Sequence, residues 1–123
     1  MKRLILFFML VFPFLHTQAA DMNPISAAFK AGNASSLTSS MDEEVDIAVP
    51  GSAKKCNAVE AVALLNSFFT SNKPVNFAIV HNADKKESGF LVGKLATAKK
   101  EFRVNITYRT ENNKAIIQSI RIE

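Results

Sequence analysis

Cysteine is nearly absent from this chain. Its single cysteine, Cys56, excludes an internal disulfide. A catalytic thiol needs a base and an orienting group, and no such partner lies near Cys56 in sequence, so an inert thiol, buried or half-buried, is expected. Histidine is scarce as well, with two in the whole chain. No His-rich or Cys-rich run has metal-ligand spacing, so neither a metal nor a cofactor is expected. Glycine numbers four, and none falls in a phosphate-binding loop or a nucleophile elbow. No long basic run exists. Lys54-Lys55, Lys85-Lys86 and Lys99-Lys100 are isolated pairs that read as solvated turn charges, which argues against a nucleic-acid surface. Internal repeats, low-complexity tracts and linkers are also missing.

What is present begins with a leader. Lys2 and Arg3 precede an apolar run from Leu4 to Leu15, interrupted by Pro13, and Thr17-Gln18-Ala19-Ala20 supplies small residues. This order reads as a secretory signal peptide over residues 1–20. The run is too short for a comfortable membrane span. Cleavage after Ala19 and cleavage after Ala20 are equally readable. An exported protein, periplasmic or secreted, is expected. Cys56 lies too far from either cleavage point to be a lipoprotein's acylated cysteine. The leader holds two of the 15 basic residues and none of the 11 acidic ones, so the remainder carries about +2. About 100 residues remain, a single domain at 21–123, enough for one core without metal or disulfide support.

The strongest periodic segment is Asn57–Asn72. Ala58, Ala61, Val62, Leu65, Phe68 and Phe69 recur at steps of three and four, the stripe of an amphipathic helix. Asn57 and Glu60 have capping-box spacing. Asn72 suits a left-handed C-terminal residue, and Pro74 bars continuation. Two short helices are expected upstream. The first starts at Asn23-Pro24, buries Ile25, Ala28 and Phe29, and ends at Gly32. The second is capped by Asn33 and aligns Ala34, Leu37 and Met41. Asp42–Glu44 reads as an acidic connector, Val45–Val49 as a strand, and Gly51–Cys56 as a loop.

Four further strands are expected. The first runs from Val75 to His81, with Val75, Phe77, Ile79 and His81 on one side, and is followed by a charged loop at 82–88. The second is Gly89–Thr97. The third is Glu101–Thr110, alternating Phe102, Val104, Ile106 and Tyr108 against polar residues. The last is Lys114–Glu123. A three-residue loop at 111–113 pairs Tyr108 with Ile116, Val104 with Ile120 and Phe102 with Ile122. A two-residue turn at Asn112-Asn113 would slip the register by one and expose the isoleucines. The three-residue register sets Arg103 beside Arg121 on the opposite face. Two forked guanidiniums there suit a carboxylate or phosphate, although Glu101, Glu123 and the terminal carboxylate can neutralise them.

These segments resemble the nuclear transport factor 2-like, cystatin-like superfamily. More narrowly they resemble a family of small secreted bacterial proteins of unknown function. The resemblance spans nearly all of residues 23–123. It is carried by Ala31-Gly32-Asn33-Ala34, Phe68-Phe69 before Asn72-Lys73-Pro74, Phe77–His81, Gly93–Thr97, Phe102-Arg103-Val104 and Ile120–Glu123. It implies an α+β fold, with a curved antiparallel sheet wrapped around the main helix and two short N-terminal helices. It implies no activity. Enzymes of the superfamily such as ketosteroid isomerase set an acid and a tyrosine inside the sheet's cone, and the sequence offers no Asp or Glu that maps there. The loop of the inhibitor cystatins has no equivalent either.

The expected function is a non-enzymatic binding module that holds a small molecule or partner segment in the cone between helix and sheet. His81, Tyr108 and Phe69 are the candidate residues for that pocket. The plainer reading of His81 is a rim histidine hydrogen-bonded to backbone, and of Tyr108 a core aromatic with a satisfied hydroxyl. The alternatives are an enzyme using His81 with Tyr108 and a structural dimer through the open sheet face. Arg103 and Arg121 are candidates for an anion or an acidic partner. A homodimer is expected, since the outer parity carries Thr107 and Ile117 among its charges.

Overall fold

The computed structural model describes residues 20–123. The expected leader therefore lies outside the described residues, except for Ala20. The first helix, α1 (Asn23–Ala31), carries Pro24 in its first turn, where the missing N–H costs nothing. Gly32 ends it at φ 68°, and the Asn33 N–H donates to Ala28 O at 2.9 Å. A Cβ at Gly32 would lie 2.9 Å from Cδ of Pro74, so both its dihedral and its packing favour glycine.

The second short helix, Ala34–Ser40, is a 3-10 helix. Its buried residues, Ala34, Leu37 and Ser40, are three apart, the period of that helix. Ser36 and Thr38 hydroxyls donate to carbonyls three residues back, which holds the tight turn. Asn33 gives no side-chain cap, and Met41 leaves the helix to open β1 (Met41–Val49). The acidic stretch Asp42–Glu44 is thus strand rather than connector. Segment 52–56 is strand too: β2 (Ser52–Cys56) pairs antiparallel with β1 across the Pro50-Gly51 turn. It lies at the sheet edge and buries only Cys56, so it has no apolar alternation to announce it.

The main helix, α2 (Ala58–Ser71), has the expected capping box. Asn57 Oδ1 accepts from the Glu60 N–H at 2.9 Å, and Glu60 Oε1 accepts from the Asn57 N–H at 3.5 Å. It buries Ala61, Leu65, Phe68 and Phe69. Its end differs from expectation. Asn72 sits at φ −133°, and both its N–H and its side-chain amide donate to Phe68 O.

The remaining strands are β3 (Pro74–Asp84), β4 (Ser88–Thr97), β5 (Glu101–Glu111) and β6 (Lys114–Ile122). They form an antiparallel meander. β1 joins β6 in parallel, giving the curved, open sheet order β2-β1-β6-β5-β4-β3. Against one face lie Phe29, Leu37, Leu65, Leu91, Leu95, Val104, Ile106 and Ile120, each at most 1 % exposed. Phe29 meets Phe69 edge-on at 5.5 Å and Phe77 at 5.1 Å. At about 25 cal/mol per Å² of apolar area removed from water, this shared core is the main stabilising term.

The β5–β6 hairpin resolves its register conflict in a way not expected. Its turn is the two-residue one, with Asn112 at φ 52° and Asn113 at φ 66°, a left-handed pair that matches strand twist. Continued unbroken, that register would turn the isoleucines outward. A bulge between Thr107 and Tyr108, which leaves Gln118 unpaired, corrects the parity. Val104 then faces Ile122, Ile106 faces Ile120, and Tyr108 faces Ile117. The expected burial of Phe102, Val104, Ile120 and Ile122 holds, but the expected partners are displaced.

Candidate functional site

Edge strand β3 carries two irregularities against β4, at Val75 and at Val80. The second reverses its alternation. Phe77 points into the core, whereas His81 pairs with Val92 and lies exposed on the outer face, its ring 5.5 Å from Phe90. His81 and Tyr108 therefore stand on opposite faces of the sheet and form no common pocket. In place of His81, the bulge puts Asn82 and Asp84 on the sheet face that carries the core, where both remain exposed at the strand end. The strand runs on to Asp84, through the first three residues of the expected charged loop.

Tyr108, fully buried on β5, receives these two residues. Its hydroxyl donates to Asp84 Oδ1 at 2.9 Å and accepts from the Asn82 side-chain amide at 3.0 Å. The Asn82 amide also donates to Phe90 O at 3.0 Å. The backbone N–H of Ala20 donates to Asp84 Oδ2 at 3.3 Å. Gly89 makes room for the phenol, since a Cβ there would lie 2.5 Å from its oxygen. Burial raises the Tyr108 pKa above its ordinary value. The bond from Asn82 opposes that rise, and the Asp84 carboxylate adds to it. An acid and a tyrosine thus do meet at the end of the cone. The adjacent apolar pair Ile79-Val80, which breaks strict alternation, was the sequence signal of the bulge that brings Asp84 to the core-bearing face.

Phe69 is a core side chain between Phe29 and Phe68. A hollow of about 290 Å³ lies beside Phe69, bordered by Gly32, Asn66, Thr70, Lys73 and Pro74, and two others open on the outer side of the sheet. One, of about 360 Å³, is bordered by Val80, Val92, Lys94, Glu101, Arg103 and Glu123. A second, of about 520 Å³, is bordered by Asp46, Ala48, Ala53, Lys55, Ser119 and Arg121. Arg103 and Arg121 thus share the outer face but are not directly opposed. Arg103 exchanges both backbone hydrogen bonds with Glu123, and Arg121 pairs with Asn105. The bulge at Gln118 imposes this diagonal offset. Lys94 of β4 lies directly opposite Arg103, a like-charged neighbour. Ile117 belongs to the core face rather than the outer one.

Among the described residues, ion pairs gather on Arg109, which meets Asp42 at 3.1 Å and Glu111 at 2.8 Å. The Arg109 guanidinium, as hydrogen-bond donor, lowers the Asp42 pKa. Cys56 is buried, and desolvation raises its pKa, which disfavours the reactive thiolate. No group of His, Cys, Asp and Glu among the described residues has the geometry to hold a metal. No described helix is long and apolar enough to cross a membrane.

Solved structures similar to this chain include two from Bacteroides. A protein of Bacteroides uniformis is 33% identical, with a TM-score of 0.76 over 82% of this chain and 94% of its own. One from Bacteroides fragilis is 34% identical, with a TM-score of 0.73 over 80% and 93%. Both are described as DUF4783 family proteins. A nuclear transport factor 2-like protein of unknown function from Silicibacter pomeroyi aligns at 13% identity and a TM-score of 0.61, over 83% of this chain and 87% of its own. At that identity it shows the fold alone. No curated protein matches the chain. The family model described as a domain of unknown function, DUF4783, matches residues 22–123. With a nuclear transport factor 2-like fold and a match over most of its length, the chain belongs to the DUF4783 family.

Proposed function

We propose that this protein is exported and acts as a non-enzymatic binding domain, engaging an acidic ligand or partner through the outer face of its sheet. The observation that supports this reading is the placement of Arg103 and Arg121. They stand on one open face, each beside a hollow, and the described ion pairs engage neither. Lys94 and Lys55 add positive charge at the same hollows, offset in part by Glu101, Glu123 and Asp46. Forked guanidiniums beside small-residue floors such as Ala48 and Ala53 fit carboxylates presented along an extended segment. Phe69 and Tyr108 are both packed as core side chains, which turns the reading away from an interior pocket. Both hydrogen bonds of the Tyr108 hydroxyl are spent within the protein, which favours a structural role over catalysis.

The test is the double substitution Arg103→Gln with Arg121→Gln, compared with wild type in thermal melts with and without polyglutamate. Wild type gains Tm with added polyanion, the gain shrinks with salt, and the variant shows none. Equal responses in both proteins, or none in either, would remove the outer-face reading. A homodimer through the same face is the competing use of this surface. Sedimentation at high micromolar concentration distinguishes it, because a dimer would bury the arginines against a second copy.

A further inference from the structure

Ala20 is the first described residue, and it is held from two directions. The residue is 8% exposed and joins the core cluster, and its backbone nitrogen lies 3.3 Å from Asp84 Oδ2. The next residue fixes its course. The Asp21 N–H donates to Asn113 O at 3.0 Å, forming a short parallel bridge beside Lys114. Asp21 Oδ1 then accepts from the Asn23 N–H at 3.0 Å and leads into α1. The other oxygen of Asp84 is occupied by the Tyr108 hydroxyl. Asp84 is itself exposed at the end of β3; with one oxygen given to a phenol and the other to a chain nitrogen, its carboxylate is better matched to an ammonium than to an amide.

We infer that the protein is processed between Ala19 and Ala20, and that Asp84 is the receptor for the α-ammonium created there. This rests on the export reading above. An endopeptidase hydrolyses the Ala19–Ala20 peptide bond with one water, leaving a carboxylate on Ala19 and an amine, protonated at neutral pH, on Ala20. The flanking residues agree. Cleavage here puts Thr17 and Ala19 at the two small-residue positions, whereas cleavage one residue later puts the longer Gln18 at the first of them. Processing acts on the unfolded, translocating chain, so the burial of Ala20 in the folded protein is no obstacle. The new terminus then docks against Asp84 over Tyr108, pinning the N-terminal segment to the end of β3. Cleavage after Ala20 would delete both the donor and the apolar contact.

The first arm of the test is the mass of the exported product from the full gene. The expected product begins at Ala20. A product beginning at Asp21 overturns the inference and leaves export standing, whereas a retained Met1 leader overturns export itself. The second arm uses purified protein beginning at Ala20, with its amine free or acetylated, in Asp84 and Asp84→Asn backgrounds. Asparagine keeps an acceptor for Tyr108 and removes the charge. The free-amine form should melt about 2–4 °C above the acetylated form with Asp84 present. With Asp84→Asn the two should coincide. Equal melting of free and acetylated forms in the Asp84 background would overturn the docking of the terminus.

Discussion

Replacing Gly93 by alanine tests the packing of the core against β3. A Cβ at Gly93 would lie 2.6 Å from Cε1 of Phe77, nearer still to Cζ, and 3.2 Å from the Ala78 carbonyl oxygen. Carbon atoms rest at about 3.5–4.0 Å, so the ring edge must retreat by about 1 Å. It has nowhere to go cheaply. Phe77 is 2% exposed, and Phe29 stands 5.1 Å away, itself held edge-on by Phe69 at 5.5 Å. Overpacking of this kind costs about 1–3 kcal/mol. Alanine also restricts the unfolded chain, which returns about 0.4–1 kcal/mol. The net expectation is a loss of about 1–2 kcal/mol, read from the urea midpoint at unchanged slope. Phe77→Leu removes the ring tip that the new methyl meets. In that background Gly93→Ala should cost nothing or stabilise slightly. The same loss in both backgrounds would refute the steric reasoning, since the cost would then arise elsewhere than at the ring.

Three other outcomes are expected. Leu65→Ala and Phe69→Ala should each destabilise by about 2–5 kcal/mol, and exposed Lys85→Ala should do almost nothing; unfolding curves check this. The Asp42 pKa is lowered, chiefly by the hydrogen bond from Arg109, so its stabilisation is present above the unfolded value near 3.8 and is lost as pH falls through the folded one. Because the pair is partly exposed, the acid-side loss should be no more than about 1 kcal/mol and should vanish in Asp42→Asn. Tyr108, the only tyrosine, has a raised pKa through burial. Its phenolate absorbance should appear above pH 10, and its contribution to stability, complete below the unfolded pKa, should fade as pH rises from there through the folded one.

The parts of the fold legible in sequence are those set by local rules. The capping box at Asn57 and Glu60, the left-handed stop at Gly32 and the alternation of β5 each depend on neighbours within a few residues. What was not legible depends on pairing. β2 is a strand because β1 offers it a ladder, and its exposed residues carry no pattern of their own. The β5–β6 register joins a turn of one parity to a core of the other, and the bulge at Gln118 that reconciles them leaves no mark in composition. The same limit decides the site. Period-two reading through Val80 puts His81 inside and Asp84 out of mind; one extra residue in β3 exchanges them. Phe69 and Tyr108 were placed in the interior by pattern, but whether that interior is hollow or filled is a matter of volumes rather than spacing.

The parallel junction of β1 with β6 also bears on how the chain folds. The meander from β3 to β6 closes through short turns, but Ile47 meets Ile120 only after a loop of more than seventy residues is gathered in. Relative to a hairpin, that closure costs about 3 kcal/mol in chain entropy. Contact order therefore predicts that the meander assembles first and that docking of β1 limits the rate. Until it docks, β6 presents an unpaired edge bearing Ile117 and Ile120, the state in which another copy of the same strand competes most effectively for its hydrogen bonds.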